Sequence, residues 1–345
     1  LAAIEGLGRM GRGDAAKVLL AALAKADGVE RRAIVAAVKR LTGKDALAEV
    51  ATGLASQSPV VREVAVRTVA DHRMREHAGT VMKLTRDPEP VVVRAAFKSL
   101  AVLAGESEMP ELIDAALRAE DDKYREAVSA VIGSIAVVVT GRDKSAKQLV
   151  SAYKDADAPR RCWILSVLPA FAGASALDTV IAASTAPEKG IRDAAVRALA
   201  AWPAGNALPA LMVIVANETN DNRHALALPG AVRLSRETTL PVVRRLDIYA
   251  QMLKSSSATD EIWQIVAAMS DLHETGAIEL IMPLLDLKDV RSEVAVSIAQ
   301  IACPETGEGP VLPQGRIAEL NKACDLLTDK LLKKKFSERL ARMGR

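Results

Sequence analysis

Aromatic side chains make up only 3% of this 345-residue chain, histidine occurs four times and cysteine three times. With few aromatics, a core must be filled by small aliphatic residues, and alanine supplies much of them. That composition suits close helix-on-helix packing and strong helix propensity. Cys162, Cys303 and Cys324 are odd in number, widely separated and include no Cys-x-x-Cys pair, so neither a disulfide framework nor a zinc site is expected. The longest apolar run, 127–140, is broken by Ser and Gly and falls short of the ~20 residues that span a bilayer. It reads as a buried helix. Charge is also unconcentrated: the net value is +3, and residues 1–100 carry 17 Lys/Arg against 11 Asp/Glu while residues 101–300 carry 20 against 26. A dedicated nucleic-acid surface would be more strongly basic.

Catalytic signatures are missing as well. There is no His-Glu-x-x-His, Walker A lysine loop or Gly-x-Ser-x-Gly elbow. Gly6-Leu7-Gly8-Arg9-Met10-Gly11 begins like a dinucleotide loop, but it follows a helical pattern rather than a strand. His72 and His77, with Asp71 and Glu76 alongside, read as a surface inter-helix turn. No catalytic residue, metal ligand or cofactor is assigned.

What the chain does contain is a repeat. Ile191-Arg192-Asp193-Ala194-Ala195-Val196-Arg197-Ala198-Leu199-Ala200 has a sibling in Val61-Arg62-Glu63-Val64-Ala65-Val66-Arg67-Thr68-Val69-Ala70. The leading arginine recurs as Arg31, Arg62, Arg94, Arg125, Arg161, Arg192 and Arg223, at intervals of 31, 32, 31, 36, 31 and 31, and again as Arg291. The gap before Arg291 places Asp260 at the marker position, with Trp263 three residues on. Apolar residues three and seven after a marker lie on one helix face, and a second apolar-periodic run, such as Leu47, Val50, Ala51 and Leu54, fills the space between markers. Each period is therefore two short helices, which must stack on neighbours to bury their apolar faces.

This two-helix period, with its Asp/Pro-x-Val-Arg-x-x-Ala opening of the second helix, resembles HEAT repeats, particularly the short bacterial HEAT-like type first associated with phycobilisome bilin lyases. The resemblance implies an all-α, right-handed α-solenoid, a superhelix of about ten helix pairs with a period of roughly 31 residues. Residues 1–302 form this solenoid, starting mid-repeat; 303–315 is a loop; 316–345 is a C-terminal helical pair that caps it, its basic residues including Arg345. Because the chain starts inside a second helix and without methionine, it is expected to be part of a longer protein. Gly6, Gly8, Gly11 and Gly13 are expected to end the first helix. Asp27, Asp87, Asp121 and Asp221 sit where N-caps or turn acceptors belong, Pro59 and Pro90 open second helices, and Pro169, Pro229 and Pro283 should kink or end theirs.

A cation near a helix N-terminus opposes the macrodipole, so each marker arginine is expected to bond the aspartate or carbonyl of an adjacent inter-helix turn. Among exposed positions, Arg9, Arg40, Arg67, Lys98 and Arg197 are candidate groove contacts. HEAT-like deoxyhypusine hydroxylases hold two irons on several His-Glu pairs; only His273-Glu274 has that order here. HEAT-like DNA glycosylases need aromatic and acidic residues around the target base, and the basic first repeats offer only Phe97. The expected role is a non-catalytic scaffold that binds a protein or peptide on a concave face lined by second helices. Two alternatives remain: an accessory segment of a larger multidomain or exported bacterial enzyme, and a nucleic-acid binder using the basic N-terminal stripe, which the charge balance disfavours. A soluble protein is expected, either cytoplasmic or exported under a targeting segment that precedes Leu1.

Overall fold

The computed structural model describes residues 1–10, 12–217, 222–237, 239–305 and 309–343; Gly11, Asp221, the loop residues Thr306, Gly307 and Glu308, and Arg345 lie outside the described residues. The chain forms two compact units, Leu1–Asp155 and Ala156–Arg345. Their boundary falls inside the interval that lengthens to 36 between Arg125 and Arg161.

The first unit contains α1 (Ala2–Met10), α2 (Gly13–Leu23), α3 (Gly28–Arg40), α4 (Lys44–Thr52), α5 (Pro59–Asp71), α6 (Ala78–Lys83), α7 (Pro90–Leu103), α8 (Met109–Arg118), α9 (Asp122–Ala136) and α10 (Arg142–Asp155). The second contains α11 (Ala158–Val167), α12 (Ala174–Ala183), α13 (Lys189–Ala200), α14 (Leu208–Asn217), α15 (Asn222–Glu237), α16 (Val242–Ser255), α17 (Thr259–Met269), α18 (Thr275–Ile281), α19 (Arg291–Ala302), α20 (Ile317–Leu326) and α21 (Lys330–Met343). Odd-numbered helices are the second members of pairs and stack on one another: α1 on α3, α5 on α7 and α7 on α9 in the first unit; α11 on α13, α13 on α15, α15 on α17 and α17 on α19 in the second. Among the described residues there is no strand, and no helix is long and apolar enough to cross a membrane.

Local signals set the helix ends. Pro59 and Pro90 occupy first-turn positions, where a missing N–H costs nothing. Asp121 accepts from the Lys123 amide at 3.1 Å and Asp157 from the Arg160 amide at 3.0 Å. Pro169 and Pro283 fall in 3-10 turns that follow helix ends, whereas Pro229 sits inside α15, which continues to Glu237. α1 runs through Gly6 and Gly8 and ends at Met10, within the glycine-rich segment. Gly8 is buried, and a Cβ there would stand 3.0 Å from Ala37; its hydrogen lets α1 cross α3 closely.

The core is a stripe on each second helix. Counting from a marker, positions three, six, seven and ten residues on are buried: Ile34, Ala37, Val38 and Leu41 after Arg31; Val128, Val131, Ile132 and Ile135 after Arg125; Ala195, Ala198, Leu199 and Trp202 after Arg192. This rule corrects three markers. In α7 the four-residue pattern falls on Ala96, Ser99, Leu100 and Leu103, with Val92 and Ala95 also buried, so Val93 holds the position and Arg94 is turned to solvent. In α15 they are Ala227, Gly230, Ala231 and Leu234, which places His224 there rather than Arg223. In α17 Ile262, Ile265, Val266 and Met269 are buried, so Thr259 replaces Asp260, and Trp263 is 41% exposed rather than packed. The sequence pattern follows arginine, while the fold follows the side chains that leave water. The intervals from Arg31 to Arg291 become 31, 31, 32, 36, 31, 32, 35 and 32.

Marker side chains reach back to carbonyls at or just past the end of the preceding helix. Arg31 Nε donates to the Ala26 carbonyl at 2.9 Å, Arg62 Nη1 to Ser56 and Gln57 at 2.8 and 3.0 Å, Arg125 Nη2 to Ala119 at 2.6 Å, and Arg192 Nη1 to Ala186 and Pro187 at 2.8 and 2.5 Å. His224 Nδ1 makes the corresponding contact with the Val215 carbonyl at 3.0 Å. These acceptor oxygens, most of them in the turn just past the preceding helix, compensate the cation for sitting at the start of its own helix. Arg62 also grips Asp87 in the next inter-helix turn through two parallel bonds of 2.7 and 2.8 Å. That pair is nearly dry, with side chains 12% and 4% exposed. The Arg62 guanidinium, helped by the Glu89 amide at 3.0 Å, holds the Asp87 carboxyl below its ordinary value of 3.8.

Removing one member of a buried, bidentate pair strands the other. Arg62→Ala should therefore cost about 3–5 kcal/mol, whereas Arg94→Ala should change stability by less than ~0.5 kcal/mol; urea unfolding of both variants at pH 7 distinguishes them. The stabilisation from a depressed Asp87 pKa is complete above 3.8 and is lost as pH falls through the lower folded value. Asp87→Asn should accordingly lose that component of acid sensitivity, read as a flatter plot of unfolding free energy against pH in that range. Glycine positions give opposite signs. A Cβ at Gly230 would meet Ala200 Cα at 2.4 Å, while Gly133 has open space around it. Gly230→Ala should destabilise by about 1–3 kcal/mol and Gly133→Ala should stabilise by up to ~1 kcal/mol, measured by thermal denaturation.

Candidate functional site

Second helices expose the face opposite their buried stripe. Arg67 on α5, Lys98 on α7 and Arg197 on α13 are all exposed, each five residues after its marker position once Val93 takes the place of Arg94. Arg67 and Lys98 lie on helices that stack directly; Arg197 belongs to the other unit. Arg9 on α1 and Arg40 at the end of α3 are also exposed and sit on a stacked pair. Arg67 pairs with Glu63 one turn earlier at 2.7 Å, an exposed contact of small strength.

The histidines occupy unrelated places. His72 ends α5 and His77 lies in the turn before α6; His273 is a left-handed residue with φ +43° after α17, and Glu274 is the N-cap of α18. His224 is buried, and its Nε2 faces Glu261 Oε1 and Ser256 Oγ, each at 3.5 Å. Among the described residues no group of three or more His, Cys, Asp or Glu is placed to hold a metal ion. Cys324 is buried, while Cys162 and Cys303 are only partly so. Burial pushes all three thiols upward, which keeps them protonated and weakly nucleophilic at neutral pH. Trp163 is buried in the core.

The second unit contains a cavity of ≈ 710 Å³ between α15, α16 and α17, lined by Arg233, Arg236, Glu237, Arg245, Gln264 and Asp271 together with small apolar residues. It opens along the exposed side of two successive second helices. Arg233 is consumed structurally: it donates to the Ala200 and Trp202 carbonyls at 2.9 and 2.6 Å and to Glu237 at 3.1 Å. Arg236 is ion-paired with Asp271. Arg245 uses Nε on the Ser235 carbonyl at 3.0 Å and pairs with no carboxylate among the described residues. Beside it lies the Tyr249 hydroxyl, fully buried and without a hydrogen-bond partner of good geometry. Burial pushes that phenol up, and the neighbouring Arg245 cation opposes the rise.

Sequence pattern did not single out these residues. A signal did exist: Arg233 stands nine positions after His224, as Arg40 stands nine after Arg31, but the relation appears only once His224 is known to hold the marker position. Arg245 lies on a first helix and carries no repeat signal at all.

Residues 45–133 match the family model for HEAT repeats. No curated protein matches the chain. Among solved structures, Kap95p in its complex with RanGDP is 12% identical, with a TM-score of 0.58 over 98% of this chain and 52% of that one. The karyopherin Kap121p bound to the extreme C-terminus of the protein phosphatase Cdc14p is 14% identical, with a TM-score of 0.56 over 95% of this chain and 41% of that one. The complex of CpcE and CpcF of phycocyanin lyase from Nostoc sp. is 16% identical, with a TM-score of 0.35 over 71% of this chain and 95% of that one. This chain thus spans about half or less of the two karyopherins, and at such identity the likeness is one of fold. The repeat arithmetic, the stacked second helices and the family match agree: residues 45–133 are HEAT repeats, and the chain has an all-α solenoid fold.

Proposed function

We propose that this chain is a non-catalytic interaction module that takes a protein or peptide on the exposed face of its second helices. The fold is one used by protein-interaction scaffolds, and a stack of short helices offers an extended surface without any local motif. The observation that carries the reading is the recurrence of an exposed base at one repeat position, in Arg67, Lys98 and Arg197. Arg67 and Lys98, one repeat apart on stacked helices, are suited to an extended acidic chain that meets one of them per repeat, and Arg197 holds the equivalent place within the second unit. Exposed Val102 on α7 adds apolar area on the same helix as Lys98, so contact need not be purely ionic. The two karyopherins of similar fold are in complexes with proteins, RanGDP and a Cdc14p terminus, which supports a polypeptide ligand here.

The test is affinity capture from the source cell with residues 1–345 as bait, at low and moderate salt, analysing bound protein and nucleic acid together. A defined protein retained at moderate salt and reduced at least about tenfold by the double variant Arg67→Glu, Lys98→Glu is the expected result, since reversing a rim charge weakens encounter and register. Salt-labile nucleic acid alone, or an empty capture, overturns the reading.

A further inference from the structure

The cavity between α15, α16 and α17 has a charge arrangement that the scaffold reading does not use. Three guanidinium groups line it, and two are neutralised from within: Arg233 by Glu237 and Arg236 by Asp271. Arg245 is the remaining cation. The two arginine–carboxylate pairs also differ in what binds them. Arg233 is anchored by two backbone carbonyls as well as Glu237, so it cannot turn away. Arg236 and Asp271 are each about half exposed, at 51% and 57%, and an ion pair so accessible to water is readily exchanged. Asp271 thus occupies Arg236 as any carboxylate arriving from solution would, in the same cavity as a second arginine that meets no acid among the described residues.

We propose that this cavity is a receptor for a single carboxylate, presented as an acidic side chain by a polypeptide lying along the second-helix face. Arg245 supplies the uncompensated charge, and Arg236 joins it by exchanging Asp271 for the incoming group. One surplus charge matches a monoanion; a phosphate dianion would meet Asp271 and Glu237 with an unbalanced negative charge. Planar guanidinium groups suit the two oxygens of a carboxylate, and the exposed Gln264 amide, on the rim contributed by α17, can donate to the same group or to the backbone that carries it. The ≈ 710 Å³ volume accommodates an acidic side chain with its adjoining backbone. The inference rests on the proposed use of the second-helix face and assigns that face a specific subsite.

The experiment measures fluorescence anisotropy of a labelled, C-terminally amidated ten-residue peptide of glutamate, serine and glycine titrated with the whole chain. The same peptide with glutamine replacing glutamate, inorganic phosphate and N-acetylglutamate amide serve as comparators and competitors. Arg245→Gln removes the surplus charge. Gln264→Glu, an exposed substitution with little reason to disturb folding, places a resident acid in the cavity. Both should weaken peptide binding about tenfold. Asp271→Asn should tighten it, because the internal competitor is gone, while Asp260→Asn, which removes the same charge from the far end of α17 outside the cavity, should leave it unchanged. Circular dichroism melting of each variant confirms that the fold is retained. The assignment is overturned if the peptide fails to bind, if Gln264→Glu and Arg245→Gln bind as the wild type does, if Asp260→Asn acts as strongly as Asp271→Asn, or if N-acetylglutamate amide or phosphate binds as tightly as the peptide. These outcomes separate from the capture experiment. A captured partner indifferent to Arg245→Gln removes the subsite and leaves the scaffold; an empty capture beside the expected peptide pattern does the reverse.

Discussion

Two or three turns of amphipathic helix cannot bury an apolar stripe alone, and every other feature of this protein follows from that constraint. The stripe three, six, seven and ten residues after each marker is buried where second helices pack on their neighbours, and alanine occurs repeatedly within it, at Ala37, Ala96, Ala195, Ala198 and Ala227. Small side chains bring backbones together, and at two crossings even alanine is too large. Gly8 lies against Ala37, and Gly230 lies against Ala200. Close approach of this kind increases dispersion contact along the whole helix face, which compensates for the lack of large aromatic residues.

Tight pairing of helices creates an electrostatic problem at every inter-helix turn, where the carbonyl end of one helix meets the amide end of the next. The marker side chain addresses it by delivering a donor from the second helix to the carbonyls of the first. Arg31, Arg62, Arg125 and Arg192 do this with bonds of 2.5 to 3.0 Å, and His224 does it through a single ring nitrogen. Val93 and Thr259 hold the same position with no guanidinium at all. The arginine is consequently an aid to the turn rather than the determinant of register, and Arg62, which adds Asp87 as a buried partner, is the member on which neighbouring repeats depend most directly.

The cavity in the second unit shows how a repeat acquires a site. Arg233 and Arg245 both satisfy carbonyls near the C-terminal ends of second helices, a structural task akin to that of the markers. Only Arg233 meets a carboxylate as well. The interval lengthened to 35 between His224 and Thr259 gives room for an extended α15 and for α16, which carries Arg245 to the same opening as Arg236 and Asp271. Departure from the regular period and concentration of charge therefore occur together.

Much of the fold was legible because a period of about 31 residues, two apolar runs per period and proline at helix starts are local properties of the chain. The helix pairs, the second-helix core and the HEAT-like architecture could all be read from them. The register in α7, α15 and α17 could not, because Arg94, Arg223 and Asp260 each lie one residue from the position that burial selects, and a one-residue offset changes a recurrence interval very little while rotating a side chain by about 100°. The division at Asp155 and the gathering of Arg236, Arg245 and Asp271 were equally out of reach. The sequence by itself determined that helices would form in pairs and which broad face each would bury, since periodicity dictates amphipathicity. Only the tertiary structure decided which residue stands at each marker and which charges share a cavity, because those depend on how neighbouring helices stack and on which side chains that stacking removes from water.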